Sequence, residues 1–248
     1  MKLHQLKGYI QNIYFAEYPD KLLMLDGGSR PDVSLIEDFF SNELKRPISD
    51  LKLIVVTHMH PDHGGAAPLL RKKYNIPIAA HATADGWHKG VKGYLTNKVA
   101  TLLSHFVAKK THRPFRKMRF ARFLKANVHL NEQDQLPGFP DWTVISTPGH
   151  TDHDISLWHA QSQTIYIGDL FIQVKRNCQL PFPITYPELI KESIRKIANI
   201  NPSKILSAHG IRCDDINNEE RFLQLQKQAN QKLRGKYKFL HKLIMLTK

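Results

Sequence analysis

The 248-residue chain contains only two cysteines, Cys178 and Cys213, with no CxxC spacing. That excludes a disulfide framework and fits reduced thiols. Neither cysteine has the surroundings of a nucleophile, and no GxSxG elbow is present to supply a serine. No stretch approaches the ~20 apolar residues of a membrane span. The opening "MKLHQLKGYIQNIYF" has neither an uninterrupted apolar core nor a small-residue cleavage site. The expected compartment is the cytoplasm. No low-complexity linker cuts the chain, and 42% hydrophobic residues suffice for the core of one domain spanning 1–248.

One further absence is local. Between Asp85 and Glu132 there is no acidic residue, yet eleven cations stand there: Lys89, Lys92, Lys98, Lys109, Lys110, Arg113, Arg116, Lys117, Arg119, Arg122 and Lys125. A second basic excess runs from Arg221 to Lys248, and the formal net charge is +14. Such patches draw anionic partners: nucleic acid, a membrane surface or an acidic small molecule.

What is present is a regular alternation of short apolar strands and helical stretches. "KLLMLDGG" (21–28) reads as a strand entering a glycine turn, "DVSLIEDFFSNEL" (32–44) as a helix, and "LKLIVVTH" (51–58) as a buried strand. A helix over 65–74, a strand over 76–81 and a mostly helical 97–125, broken at "THRP", follow. Strands are expected at 142–150, 155–160, 164–171 and 204–210, with an amphipathic helix over 186–200 and Pro187 in its first turn. Two successive sets of strands, each with helices, suit two sheets packed face to face with helices outside.

The chemistry-bearing residues stand where these strands end. His58, His60, Asp62 and His63 follow the strand at 51–57, His150 follows "VISTPG", Asp169 follows "IYIG", and His209 follows "ILSA". A strand end is held by its sheet while its side chain projects into a loop, as a rigid site requires. Five imidazoles and two carboxylates, with no thiolate, suit divalent zinc, with iron or manganese as alternatives. Seven ligands are too many for one tetrahedral ion. Shared between two ions, with one carboxylate bridging, they leave positions open to water. The alternation in "HMH" sets His58 and His60 on one side, while Asp62 and His63 turn toward a second position. Pro61 restricts the turn, and Gly64-Gly65 lets the next helix approach closely. His153, three residues after His150, is a supporting group or a substitute ligand. His4, His81, His88, His105, His112, His129, His159 and His241 read as surface or packed imidazoles.

The order "THMHPDHGG", "TPGHTDHD", "IGDLF" and "SAHG" resembles the metallo-β-lactamase fold hydrolase superfamily over nearly the whole chain, in its glyoxalase II and lactonase-like branch. The resemblance implies an α/β fold, a four-layer αββα sandwich with the metals at the edge between its sheets. Carried over by position, it implies a first ion held by His58, His60 and His150. A second is held by Asp62, His63 and His209, with Asp169 bridging and Asp26 supporting the ligands from behind. A metal-bound hydroxide is then the expected nucleophile on a carbonyl or phosphorus, oriented by Asp62.

Substrate is less defined, because this fold hosts many reactions. An ester, lactone or thioester of a small anionic or acyl-bearing molecule is the first expectation. A phosphodiesterase or nuclease is the alternative, and a non-catalytic ligand-binding sensor is third. Acyl-homoserine lactonases of the superfamily carry a tyrosine shortly after the bridging aspartate; here Asp169 is followed by "LFIQVK". A basic helical lid is expected over about 90–126, with Val99, Leu102, Leu103, Phe106 and Val107 at helical spacing. Its plain reading is a lid with its charged face in water. The sharper readings are a cationic rim for an acyl substrate, a membrane-surface helix or a nucleic-acid groove. The tail at about 218–248 reads as a capped helix, a stop at Gly235 and a second basic helix that packs, dimerises or touches membrane.

Overall fold

The computed structural model describes residues 1–174, 177–210 and 219–229. They form two compact units. The first comprises Met1–Leu130 with Pro137–Phe139, the second Asn131–Leu136 with the described residues from Pro140 onward.

The first unit is built on a six-stranded sheet in sequence order: β1 (Lys2–Lys7), β2 (Asn12–Glu17), β3 (Leu22–Met24), β4 (Leu51–Val56), β5 (Ile78–His81) and β6 (Val128–Leu130). β1 to β3 form an antiparallel meander, whereas β3, β4, β5 and β6 run parallel. A parallel strand covered on both faces needs a continuous apolar run, which "LKLIVV" supplies; all but Lys52 of β4 is buried. Phe15 stacks on Phe39 with centroids 5.3 Å apart and meets Phe40 edge-on at 5.6 Å. The expected helix at 32–44 is α1 (Val33–Asp38), which widens into a π-helical turn over Phe39–Leu44. α2 (Ala67–Tyr74) starts with proline in its first turn, where a missing N–H costs nothing. It ends at Asn75, left-handed with φ 57°, whose N–H returns to the Arg71 carbonyl.

The helical expectation for 97–125 is corrected. α3 starts earlier, at Gly90, and stops at Lys110. Residues 113–125 carry neither helix nor strand. Their backbone groups go to side chains instead. Arg116 N–H donates to the Tyr9 hydroxyl, which donates to the Pro114 carbonyl, while Leu124 and Lys125 N–H share the Asp85 carboxylate. Met118, Phe120 and Leu124 are buried, so tertiary anchoring overrides the helical spacing.

The second unit holds a five-stranded sheet in the order β13 (Lys204–Leu206), β10 (Thr164–Tyr166), β9 (Ile155–His159), β8 (Phe139–Ser146), β7 (Gln135–Leu136). A two-stranded pair is formed by β11 (Ile172–Val174) and β12 (Asn177–Gln179). α4 (Pro187–Ile200) buries Ile190, Ile194 and Ile197, one stripe at i, i+4 and i+7. Each fully buried isoleucine stabilises by about 1.5–3 kcal/mol. α5 (Glu219–Ala229) adds Phe222, Leu225 and Ala229 to the same cluster. The expected cap at Asn218, the stop at Gly235, the second basic helix and Cys213 lie outside the described residues.

Strand direction is what positions the chemistry. In the first unit, the parallel β3 and β4 deliver Asp26 and the 57–65 loop to one sheet edge. In the second, β10 is parallel to β13 and antiparallel to β9, which is antiparallel to β8. β8, β10 and β13 therefore share one direction and release His150, Asp169 and His209 at the same edge.

Candidate metal centre

In the first unit, the loop after β4 is organised by one buried carboxylate. Asp26 Oδ1 accepts from Gly27 N–H at 3.0 Å and Thr57 N–H at 3.2 Å. Its Oδ2 accepts from Thr57 Oγ1 at 2.7 Å and faces His63 Nδ1 at 2.6 Å. His63 therefore carries its proton on Nδ1, which leaves the Nε2 lone pair for an ion. The Thr57 hydroxyl spends its proton on Asp26 and lies 3.1 Å from His58 Nδ1 as an acceptor. His58 is thereby set in the same tautomer, with Nε2 as its donor atom. That Nε2 stands 3.0 Å from His60 Nδ1. Two ligands of a tetrahedral zinc with Zn–N of about 2.0–2.1 Å stand about 3.3 Å apart, so the spacing fits a shared ion. Asp62 Oδ2 lies 3.7 Å from His63 Nε2. The loop closes on itself because Gly65 leaves room: a Cβ there would stand 2.3 Å from the Pro61 carbonyl oxygen.

In the second unit, Asp169 presents its two oxygens to two different histidines. Oδ2 is 3.8 Å from His150 Nε2, and Oδ1 is 3.5 Å from His209 Nε2. Both separations exceed an ordinary hydrogen bond, and a carboxylate facing two imidazoles separately is the donor pattern of a bridging ligand. His150 Nδ1 donates to the Pro183 carbonyl at 2.8 Å, which again frees Nε2. His153 is buried and tied to Asp152 at 2.7 Å. The donor set of each unit thus fits a divalent ion by its chemistry: nitrogen and carboxylate oxygen, with the far ring nitrogens of His58, His63 and His150 held by protein acceptors.

Three supports escape a reading of the sequence. Thr57 connects Asp26 to His58, and its only signal is a hydroxyl residue between the strand and the first histidine. Asp32 is buried and accepts from Tyr9 N–H at 2.6 Å, Ser29 N–H at 2.8 Å and Gln11 Nε2 at 2.9 Å. It fixes the turn whose Gly28 carbonyl receives Gly65 and Ala66 N–H. Burial pushes its pKa above the usual aspartate value, against the lowering effect of those hydrogen bonds. His88, expected as a packed imidazole, is fully buried with Nε2 3.0 Å from the Met59 carbonyl between His58 and His60.

Comparison with known proteins places this geometry. The profile of the metallo-beta-lactamase superfamily matches residues 6–209. The chain belongs to that superfamily. Its mixed α/β architecture matches the metallo-β-lactamase fold that the sequence implies. The probable metallo-hydrolase YflN of Bacillus subtilis (strain 168) is 28% identical over 229 residues, 84% of each chain. The metallo-beta-lactamase family protein TTHA1429 from Thermus thermophilus shares the fold with a TM-score of 0.66, at 18% identity over 91% of this chain and 78% of that one. The di-iron-bound form of TTHA1623 shares it with a TM-score of 0.59, at 19% identity over 89% and 100%. Members of the superfamily bind divalent metals, and this chain's described residues include groups of histidine and aspartate able to hold an ion.

Proposed function

We propose that the chain is a binuclear metallo-hydrolase of the glyoxalase II and lactonase-like branch. Its substrate class is an ester, lactone or thioester of a small anionic or acyl-bearing molecule. The observation that carries the binuclear reading is Asp169, whose two oxygens face His150 and His209 separately. In this reading His58, His60 and His150 hold one ion, Asp62, His63 and His209 hold the other, and Asp169 belongs to both. Zinc is the proposed metal because imidazole and carboxylate suit it; the di-iron form of TTHA1623 makes iron the first competitor. Divalent ions in such a set lower the pKa of water to about 7 and polarise an electrophilic oxygen.

The chain's own groups supply the rest. Asp26 and Thr57 hold the imidazoles of His63 and His58 with Nε2 forward, so no reorientation is needed when the electrophile arrives. Asp62, 8% exposed, orients a water and takes its proton on a carboxylate oxygen. The resulting carboxylic acid returns that proton to the leaving alcohol or thiol.

The metal-reconstituted full chain, assayed on lactone, thioester, ester and phosphodiester substrates, tests this. Turnover of an acyl substrate that is lost in Asp169→Ala supports the proposal. Phosphodiester turnover alone would transfer the site to the phosphodiesterase or nuclease reading. No turnover of any substrate with two ions bound would overturn hydrolysis.

A further inference from the structure

α3 is inside out. Its buried positions are Gly93, Thr96, Asn97, Ala100, Ser104 and Ala108, all small or polar. Its opposite side carries Val91, Tyr94, Leu95, Leu102 and Phe106, exposed at 78%, 44%, 45%, 67% and 60%. At 100° per residue, these five fall within about one third of the helix circumference. Eight of the twelve exposed large hydrophobics among the described residues lie between Val91 and Phe123. Lys92, Lys98, Lys109 and Lys110 of α3 are in water as expected, and Leu102, Phe106 and Val107 stand in water beside them.

The same stretch contains nine Lys and Arg and no acidic residue. The cations border the apolar face rather than avoiding it. Lys98 Nζ sits 5.0 Å from the Tyr94 ring centroid, and the Arg122 guanidinium lies 5.4 Å from Tyr94 and 5.3 Å from Phe123. Exposed apolar side chains ringed by cations match the two components of an anionic bilayer interface: acyl chains below and phosphate groups above.

We propose that α3 and the segment to Phe123 form a peripheral docking surface for anionic lipid, with α3 lying in the interface plane. Val91, Leu95, Leu102 and Phe106 enter the acyl boundary while Lys98, Lys109, Lys110 and Arg122 meet lipid phosphates. Other occupants match less well. Nucleic-acid bases stack on aromatic rings, whereas Val91, Leu95, Leu102 and Val107 are aliphatic and offer no π-face. A second copy would bring the same cations against these, since a two-fold interface pairs a patch with itself. Residues 230–248 carry six Lys and Arg and no acid, so they repel this surface as well.

Flotation of the full chain with vesicles of phosphatidylcholine alone, and with phosphatidylglycerol added, tests the surface. Affinity for the anionic vesicles should exceed that for the neutral ones by at least about tenfold and fall with added salt. The double substitution Leu102→Ser with Phe106→Ser leaves the charge unchanged and should weaken vesicle binding by about tenfold or more. In a separate Phe106→Trp variant, indole emission should shift to the blue with anionic vesicles only. Absent vesicle binding, or binding unaffected by the serine pair together with an unshifted indole, overturns the proposal. It is overturned equally if the serine pair instead abolishes oligonucleotide binding, or converts a dimer to a monomer.

Discussion

The loop after β4 and the helix α3 break the ordinary partition of side chains in opposite directions. At the loop, Asp26, Thr57, His58, Asp62 and His63 are buried polar groups. On α3, Val91, Leu102 and Phe106 are exposed apolar ones. A buried polar cluster is tolerated only when its hydrogen bonds are made, and Asp26 makes those of Thr57 and His63. An exposed apolar face is retained where something apolar meets it. Each inversion costs stability locally, and each marks a surface directed at something beyond the chain: an ion in one case, lipid in the other.

The comparison can be broken most forcefully beneath the loop. Asp32→Ala strips an acceptor from three buried donors and should destabilise the fold by about 3 kcal/mol in denaturant titration. A change under about 0.5 kcal/mol, the range of surface substitutions, would show that the turn does not depend on it. Because burial raises the folded Asp32 pKa, the part of its contribution to stability that depends on its protonation is complete below the unfolded value. That contribution is lost as pH rises through the folded value, and the Asp32→Ala variant should lack this pH dependence. Asp26→Ala should lower metal affinity by about 10–100-fold in a competition titration, since it releases the tautomers of both His63 and His58. Thr57→Val keeps the volume and removes the hydroxyl that donates to Asp26 and faces His58, while Asp26 still holds His63, so the expected loss is about tenfold. An unchanged affinity there would mean that the hydroxyl sets nothing. At the other extreme, Leu102→Ser with Phe106→Ser should alter thermal stability by less than about 0.5 kcal/mol per site. A large loss would mean that the outer face of α3 supports the fold, and the contrast between the two regions would vanish.

The loop was more legible in the sequence than the helix, for a physical reason. Histidine and aspartate at the ends of runs such as "LKLIVV" announce both the strand and the site, because β-branched runs fix where backbone order stops. Thr57 and Asp32 act through partners 31 and 23 residues away, Asp26 and Tyr9, so only the paired strands reveal them. Helical spacing at Leu102 and Phe106 shows that an apolar face exists and says nothing about which side the protein occupies. Past Pro114, aromatic and basic residues kept a helical spacing, while Asp85 and Tyr9 drew the backbone donors away from any helix. The meander of β1 and β2 carried no motif, and it emerges only from pairing Lys2 with Glu17 through Lys7 with Asn12.

The central proposal is that His58, His60, Asp62 and His63 of the first unit and His150, Asp169 and His209 of the second supply the ligands of two divalent ions. Metal content after dialysis against zinc, measured by plasma mass spectrometry on the full chain and on Asp169→Ala and His58→Ala, tests it most directly. The account predicts two equivalents in the parent chain, with ions lost from both variants. Two equivalents retained in both variants, or none bound by the parent, would contradict it.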